Sequence, residues 1–169
     1  MTTIVEKDAC ELLDADHIAV KHLFVEYARL AFGSGGAAAP GKLALAQQIC
    51  NELTVHARIE EEIFYPALRK EIDEPELLDQ AGAEHQEAKA MIAQIEQMGQ
   101  ADAAMDDLVA ELNRAIEQHV KEERDELFTK ARASNLDLGA LGARLKDRQE
   151  ELMAAAGAGG KAARVARSR

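Results

Sequence analysis

The chain has 169 residues, a net charge of −11, and 47% hydrophobic but only 4% aromatic residues, the make-up of one domain with a single aliphatic core. No apolar run approaches the roughly 18 residues that span a bilayer, and residues 1–11 lack the pattern of a secretory signal. Cys10 and Cys50 are too few for a disulfide scaffold. Secreted, membrane-spanning and disulfide-stapled classes are thereby excluded, and a cytoplasmic protein is expected.

The charge is unevenly spread. After Glu151 the only charges are Lys161, Arg164, Arg167 and Arg169, which leaves about −15 on residues 1–151. A body this acidic repels phosphate backbones, so neither nucleic acid nor a membrane is expected as a partner.

Helical periodicity dominates, and Gly and Pro punctuate it. A first helix is predicted over 10–32, ending at Gly33-Ser34-Gly35-Gly36. The second covers 43–70, with Pro66 bending or breaking its last turn. Asp73-Glu74-Pro75 starts a third, 76–98, which stops at Gly99. A fourth runs over 102–133, and a shorter fifth over 136–155 is weakened by Gly139 and Gly142. The expected fold is all-α: an up-down-up-down four-helix bundle over 10–133, an accessory C-terminal helix over 134–156 and a disordered basic tail over 157–169.

An internal repeat carries chemistry. Asp16-His17 is followed by His56-xxx-Glu60 with Ile63-Phe64. Glu84-His85 is followed by His119-xxx-Glu123 with Leu127-Phe128. His56 and Glu60 lie about 40° apart on a helical wheel, in the middle of the stripe of Ile49, Leu53, Ile63 and Ala67 that faces a core. His119 and Glu123 continue the stripe of Leu108, Leu112 and Ile116, while His17 and His85 sit on the apolar faces of the first and third helices. Four His and two Glu thus converge at one level of a bundle.

Burying such groups uncompensated costs several kcal/mol, and metal ions compensate them directly. Nitrogen with carboxylate oxygen and no thiolate suits iron or manganese, with zinc possible. His17, His56, Glu60, His85, His119 and Glu123 are therefore the expected ligands of a dinuclear site. Glu122 and Glu126 are reserve ligands, because they share a face with His119 and the spacing after Glu123 slips by one residue, a sign of a local bulge. His22 faces away. Glu61 and Glu62 read as a solvated acidic face, Tyr65 as packing, and Tyr27 as packing or a hydrogen-bond donor to the site. The cysteines have no expected role.

The order H…HxxxE…H…HxxxE, with the Glu61-Glu62-Ile63-Phe64-Tyr65-Pro66 run, resembles the hemerythrin-like (HHE cation-binding) family over residues 12–131. That resemblance implies a bundle holding two non-haem irons bridged by two Glu and an oxo or hydroxo group. Oxygen-carrying members have a fifth His four positions from the third-helix His; here those positions hold Ala81 and Lys89. Both irons would then keep an open position, favouring bridged peroxide or nitric oxide chemistry over reversible O2 storage. The expected function is binding of, or reaction with, O2, peroxide or nitric oxide, as a scavenger (catalase-like in its enzymatic form) or a sensor. Iron handling or iron–sulfur cluster repair, a metal-free helical interaction module and hydrolytic zinc chemistry are the alternatives. The oligomeric state, monomer or dimer, is left open.

Overall fold

A capping box opens the first helix: Glu11 N donates to Asp8 Oδ1 (2.9 Å) and Asp8 N donates to Glu11 Oε2 (3.1 Å), satisfying two otherwise unpaired amides. The structure, a computed structural model, describes residues 6–33 and 39–166, with side chains as far as 157. Helix α1 spans Ala9–Gly33 and α2 spans Ala39–Ile59. A π-helical turn, Glu60–Phe64, joins α2 without a break to α3, Tyr65–Glu71. Helix α4 covers Pro75–Gln97, with Pro75 in its first turn, where a missing N–H costs nothing. Helix α5, Ala103–Glu122, is capped by Asp102, whose carboxylate accepts from Met105 N. A second π-helical turn, Glu123–Phe128, leads into α6, Thr129–Ala133. Helix α7, Leu138–Ala166, follows Asp137, whose Oδ1 accepts from Ala140 N.

The helices pack as a closed ring. Helix α1 lies against α2 and α5, and α4 lies against α2 and α5, while α7 packs outside on α1 and α2. Gly142 lets α7 sit this close: a Cβ there would lie 2.6 Å from the Lys7 carbonyl oxygen and 2.8 Å from the Asp8 carbonyl carbon. So the glycine expected to weaken the fifth helix is what docks it on the start of α1.

Three expectations change. Helix α2 starts at Ala39 rather than 43, and the preceding residues 34–38 lie outside the described part. Pro66 breaks nothing, because it occupies the first turn of α3, where no helical hydrogen bond to its nitrogen is needed. The expected disordered tail from 157 is instead helical to Ala166, and residues 167–169 are outside the described part.

Two apolar clusters fill the bundle. One, around Leu13, Ile59, Phe64, Leu68, Phe128 and Leu145, lies at the α7 end; the other is built on Val20, Phe24, Ile49, Leu53, Ile92 and Leu112. Along the chain His17, His56, His85, His119 and Glu123 fall between the two sets, and Glu60 follows Ile59 at the edge of the first. A buried polar layer therefore separates two ordinary hydrophobic cores. At the far end Asp106 receives Lys42 Nζ (2.9 and 3.1 Å) and the Tyr27 hydroxyl (2.8 Å), which neutralises the buried lysine. Tyr27 is thus an end-cap residue and does not reach the polar layer.

Candidate metal centre

His17, His56, His85 and His119 are 5–8% exposed, and Glu60 and Glu123 are 0% and 1% exposed. All six side chains come together. Donor atoms of His17, His56, Glu60 and Glu123 lie within 4.8 Å of one another, as do those of Glu60, His85 and His119, so Glu60 belongs to both groups.

The spacings are those of lone pairs aimed at a common point. His17 Nε2 is 3.1 Å from His56 Nε2, and His85 Nε2 is 3.3 Å from His119 Nε2. Carboxylate oxygens complete each set: Glu123 Oε1 is 3.2 Å from His17 Nε2, Glu60 Oε1 is 2.7 Å from His56 Nε2, and Glu123 Oε2 is 3.5 Å from His119 Nε2. Two donors about 2.1 Å from one ion and at right angles stand about 3 Å apart. Despite these close approaches, both Glu60 oxygens and Glu123 Oε1 lack an aligned hydrogen-bond donor. Fully buried carboxylate oxygens without donors are costly, and a pair of cations would satisfy them. The residues present fit a dinuclear metal group.

Outside this layer each of the four imidazoles turns its Nδ1 toward an acid, within hydrogen-bond distance at His17 and His56 and at longer range at His85 and His119, whose Nδ1 atoms have no aligned partner. Asp14 Oδ1 is 3.3 Å from His17 Nδ1 and Asp16 Oδ2 is 3.2 Å from His56 Nδ1. Glu84 faces His119 at 3.5 Å and Glu61 faces His85 at 3.9 Å. A carboxylate on Nδ1–H fixes the tautomer and turns the Nε2 lone pair inward. Three of the four acids are themselves held. Arg124 pairs with Asp14, Lys89 Nζ with Glu61 (2.6 and 2.9 Å), and Gln149 of α7 donates to Asp16 Oδ2 (2.7 Å). Lys89 therefore points away from the centre, and Glu61 is a supporting residue rather than part of a solvated face.

The protein groups push one another's protons in opposite directions. Burial and the charge of Glu123 raise Glu60 to about 8. Burial alone would raise Glu123 too, but its contacts with Glu60, His119 and His17 hold it well below the carboxylate range. Burial, with the charge of His119 behind it, drops His85 to about 3. In His119 the facing Glu123 and Glu84 overcome burial and lift it to about 10. Two touching carboxylates cannot both be charged here without cations.

Both π-helical turns start at the shared carboxylates, Glu60 and Glu123. The slip in spacing after Glu123 marks one of them, and Glu60 begins another that the sequence does not betray. Glu123 is the buried acid of its turn. Glu122 is instead held outward by Gln80 (2.8 Å) and Gln118 (2.5 Å), and Glu126 is exposed. The reserve ligands are not in the cluster.

Tyr65, expected as a packing residue, packs in the core and also reaches the polar layer. On a regular helix it would sit about 140° from Glu60, and the extra residue of a π-turn takes off about 100°. Its hydroxyl consequently enters the cluster, donating to Glu123 Oε2 (2.5 Å), 3.3 Å from His85 Nε2 and 3.5 Å from His119 Nε2.

On the other side lies a cavity of about 130 Å³. All four imidazoles border it, and the rest of its wall is mostly apolar, with Val20, Leu53, Ala88, Ile92 and Ile116 prominent.

A four-helix bundle with a buried His/Glu layer repeated between its halves defines a metal-binding helical protein. The chain belongs to the hemerythrin HHE cation binding domain family, whose model matches residues 8–131. The fold is also that of a hemerythrin HHE cation binding domain-containing protein from Mycobacterium kansasii, with a TM-score of 0.72, 24% identity, and 89% of this chain and 90% of that one covered. A protein described as a DNA nickase from Nostoc sp. is 35% identical over 88 residues, which is half of this chain but only 24% of that protein. Among the described residues no helix is long and apolar enough to cross a membrane.

Proposed function

We propose that the chain is a cytoplasmic, non-haem di-iron protein that binds or reacts with O2, peroxide or nitric oxide, acting chiefly as a scavenger. Catalase-like peroxide decomposition is the enzymatic form of this reading, and sensing is its binding form. The observation that carries it is the cavity of about 130 Å³ against all four imidazoles. It has room for a ligand of a few atoms, and of its charged lining residues Asp16, Glu84 and Lys89 are already turned to His56, His119 and Glu61, which leaves little to anchor a larger substrate. Iron held by these six residues would supply electrons and a Lewis-acidic face to such a ligand.

The remaining work falls to the chain itself. Asp14 and Asp16 keep the Nδ1 protons of His17 and His56 in place, so their Nε2 atoms stay available as donors. Val20, Leu53 and Ile92 keep bulk water off the inner face. The DNA-nicking name of the Nostoc relative is not carried over, since the net charge of −11 opposes a DNA partner.

The test is anaerobic loading with ferrous iron, then stopped-flow mixing with peroxide, nitric oxide and O2. Reaction with at least one of these is expected, and Ala88→Leu, which fills the cavity, should slow it at unchanged iron content. A loaded protein inert to all three, or indifferent to cavity filling, contradicts the proposal.

A further inference from the structure

The two halves of the repeat differ at one decisive atom. A constant offset of 63 residues relates His56 to His119, Glu60 to Glu123 and Tyr65 to Phe128. Each member of the last pair lies five residues after its glutamate, Tyr65 directly after the first π-turn and Phe128 at the end of the second, and each ring packs on an imidazole. Phe128 stacks on His17 (6.0 Å between centroids, 10° between planes), and Tyr65 lies on His85 (5.4 Å, 38°). Both rings are buried, at 1% and 6% exposure. What distinguishes the halves is the Tyr65 hydroxyl, present beside His85 and His119 and lacking beside His17 and His56.

Building on the di-iron reading, we propose that the two metal positions are inequivalent: Tyr65 Oη ligates the ion held by His85 and His119, and only the ion held by His17 and His56 stays open to a small ligand. The geometry supports ligation over a simple packing role. Oη stands 2.5 Å from Glu123 Oε2, 3.3 Å from His85 Nε2 and 3.5 Å from His119 Nε2, the three groups that would share that ion. The one phenolic proton goes to Glu123, so where the imidazoles carry their protons on Nδ1 the oxygen faces two further lone pairs, an arrangement that a shared cation satisfies. The donor count agrees. The Glu60, His85 and His119 group is the smaller of the two clusters, and Oη brings it level. Adding Glu123 Oε2 and a bridging oxygen would fill six positions there. Around His17 and His56 the matching place is occupied by a benzene ring. The phenol gives up its proton to solvent as it binds a ferric ion, so the exchange is one proton for one metal–oxygen bond.

The full chain, loaded with ferrous iron and oxidised in air, is compared with Tyr65→Phe, Phe128→Tyr and the double exchange. Tyrosinate bound to ferric iron gives a visible charge-transfer band and enhanced ring modes in resonance Raman spectra. The unmodified chain should show both, and Tyr65→Phe should lose both while retaining two irons. Azide, as a probe anion, should bind once per chain in the unmodified protein, twice in Tyr65→Phe and not at all in Phe128→Tyr. Two bound irons without tyrosinate bands in the unmodified chain overturn the inference, leaving Tyr65 as a hydrogen-bond donor to Glu123. That result needs no variant to fold. Failure to bind iron at all overturns the di-iron reading itself and is distinguished by metal analysis.

Discussion

Asp16 Oδ2 lies 3.2 Å from His56 Nδ1, and the same oxygen receives the Gln149 amide from α7 at 2.7 Å. The helix outside the bundle thus reaches a candidate ligand through two hydrogen bonds. Removing the carboxylate with Asp16→Ala should lower metal affinity about 10- to 100-fold. Gln149→Ala should lower it less, with helical content unchanged in both. Chelator competition measures this, and unchanged affinity in Asp16→Ala would show that His56 needs no such support.

Glu60 belongs to both donor groups and has no aligned hydrogen-bond donor on either oxygen. Glu60→Met, of similar length, should therefore abolish uptake of both ions. Removing one member of a buried pair leaves His56 without the carboxylate 2.7 Å from its Nε2, which costs about 3–5 kcal/mol, so the metal-free variant should melt below the metal-free parent while keeping its helical content. Loss of a single ion from the folded variant would contradict the shared role.

Gly142→Ala places a Cβ on the backbone of Lys7 and Asp8, atoms that cannot move without shifting the start of α1. A loss of roughly 1–3 kcal/mol is expected in denaturant unfolding, as for other overpacked sites. Gly157→Ala, with open space around it, should be neutral or slightly stabilising.

Burial pushes both thiols up to about 12, with Arg132 partly opposing this for Cys10. Unfolded thiols ionise near pH 9 and folded ones do not, so the unfolded state binds fewer protons above that pH. Each thiol then withdraws on the order of 1.4 kcal/mol of stability per pH unit between about pH 9 and 12, the contribution being fully present below pH 9. At pH 8 the native chain should resist alkylation, and denaturation should release two reactive thiols. Fast labelling of either in the native state would refute their burial.

Most of this centre is legible in sequence because a helix turns by a fixed angle per residue. That regularity sets His17, His56, Glu60, His85, His119 and Glu123 on inward stripes, and all six meet. What escapes it is whatever departs from the angle. The π-turn at Glu60 leaves no gap in the pattern, so Tyr65 reads as packing although it enters the cluster. Glu61 reads as part of a solvated face and Lys89 only as a residue that cannot ligate, yet the two pair with each other, which holds Glu61 3.9 Å from His85 Nδ1. Gln149 is a similar case, being 133 positions from Asp16. Gly142 reads as a weakness because propensity takes no account of a neighbouring backbone.

The most direct test of the dinuclear centre is metal content, by mass spectrometry, of the full chain after anaerobic incubation with ferrous iron and removal of the excess. Two irons per chain, falling to none in Glu60→Met, is the predicted result. A fully folded chain that retains no iron would contradict the assignment of all six ligands and leave an acidic, salt-bridged helical bundle in its place.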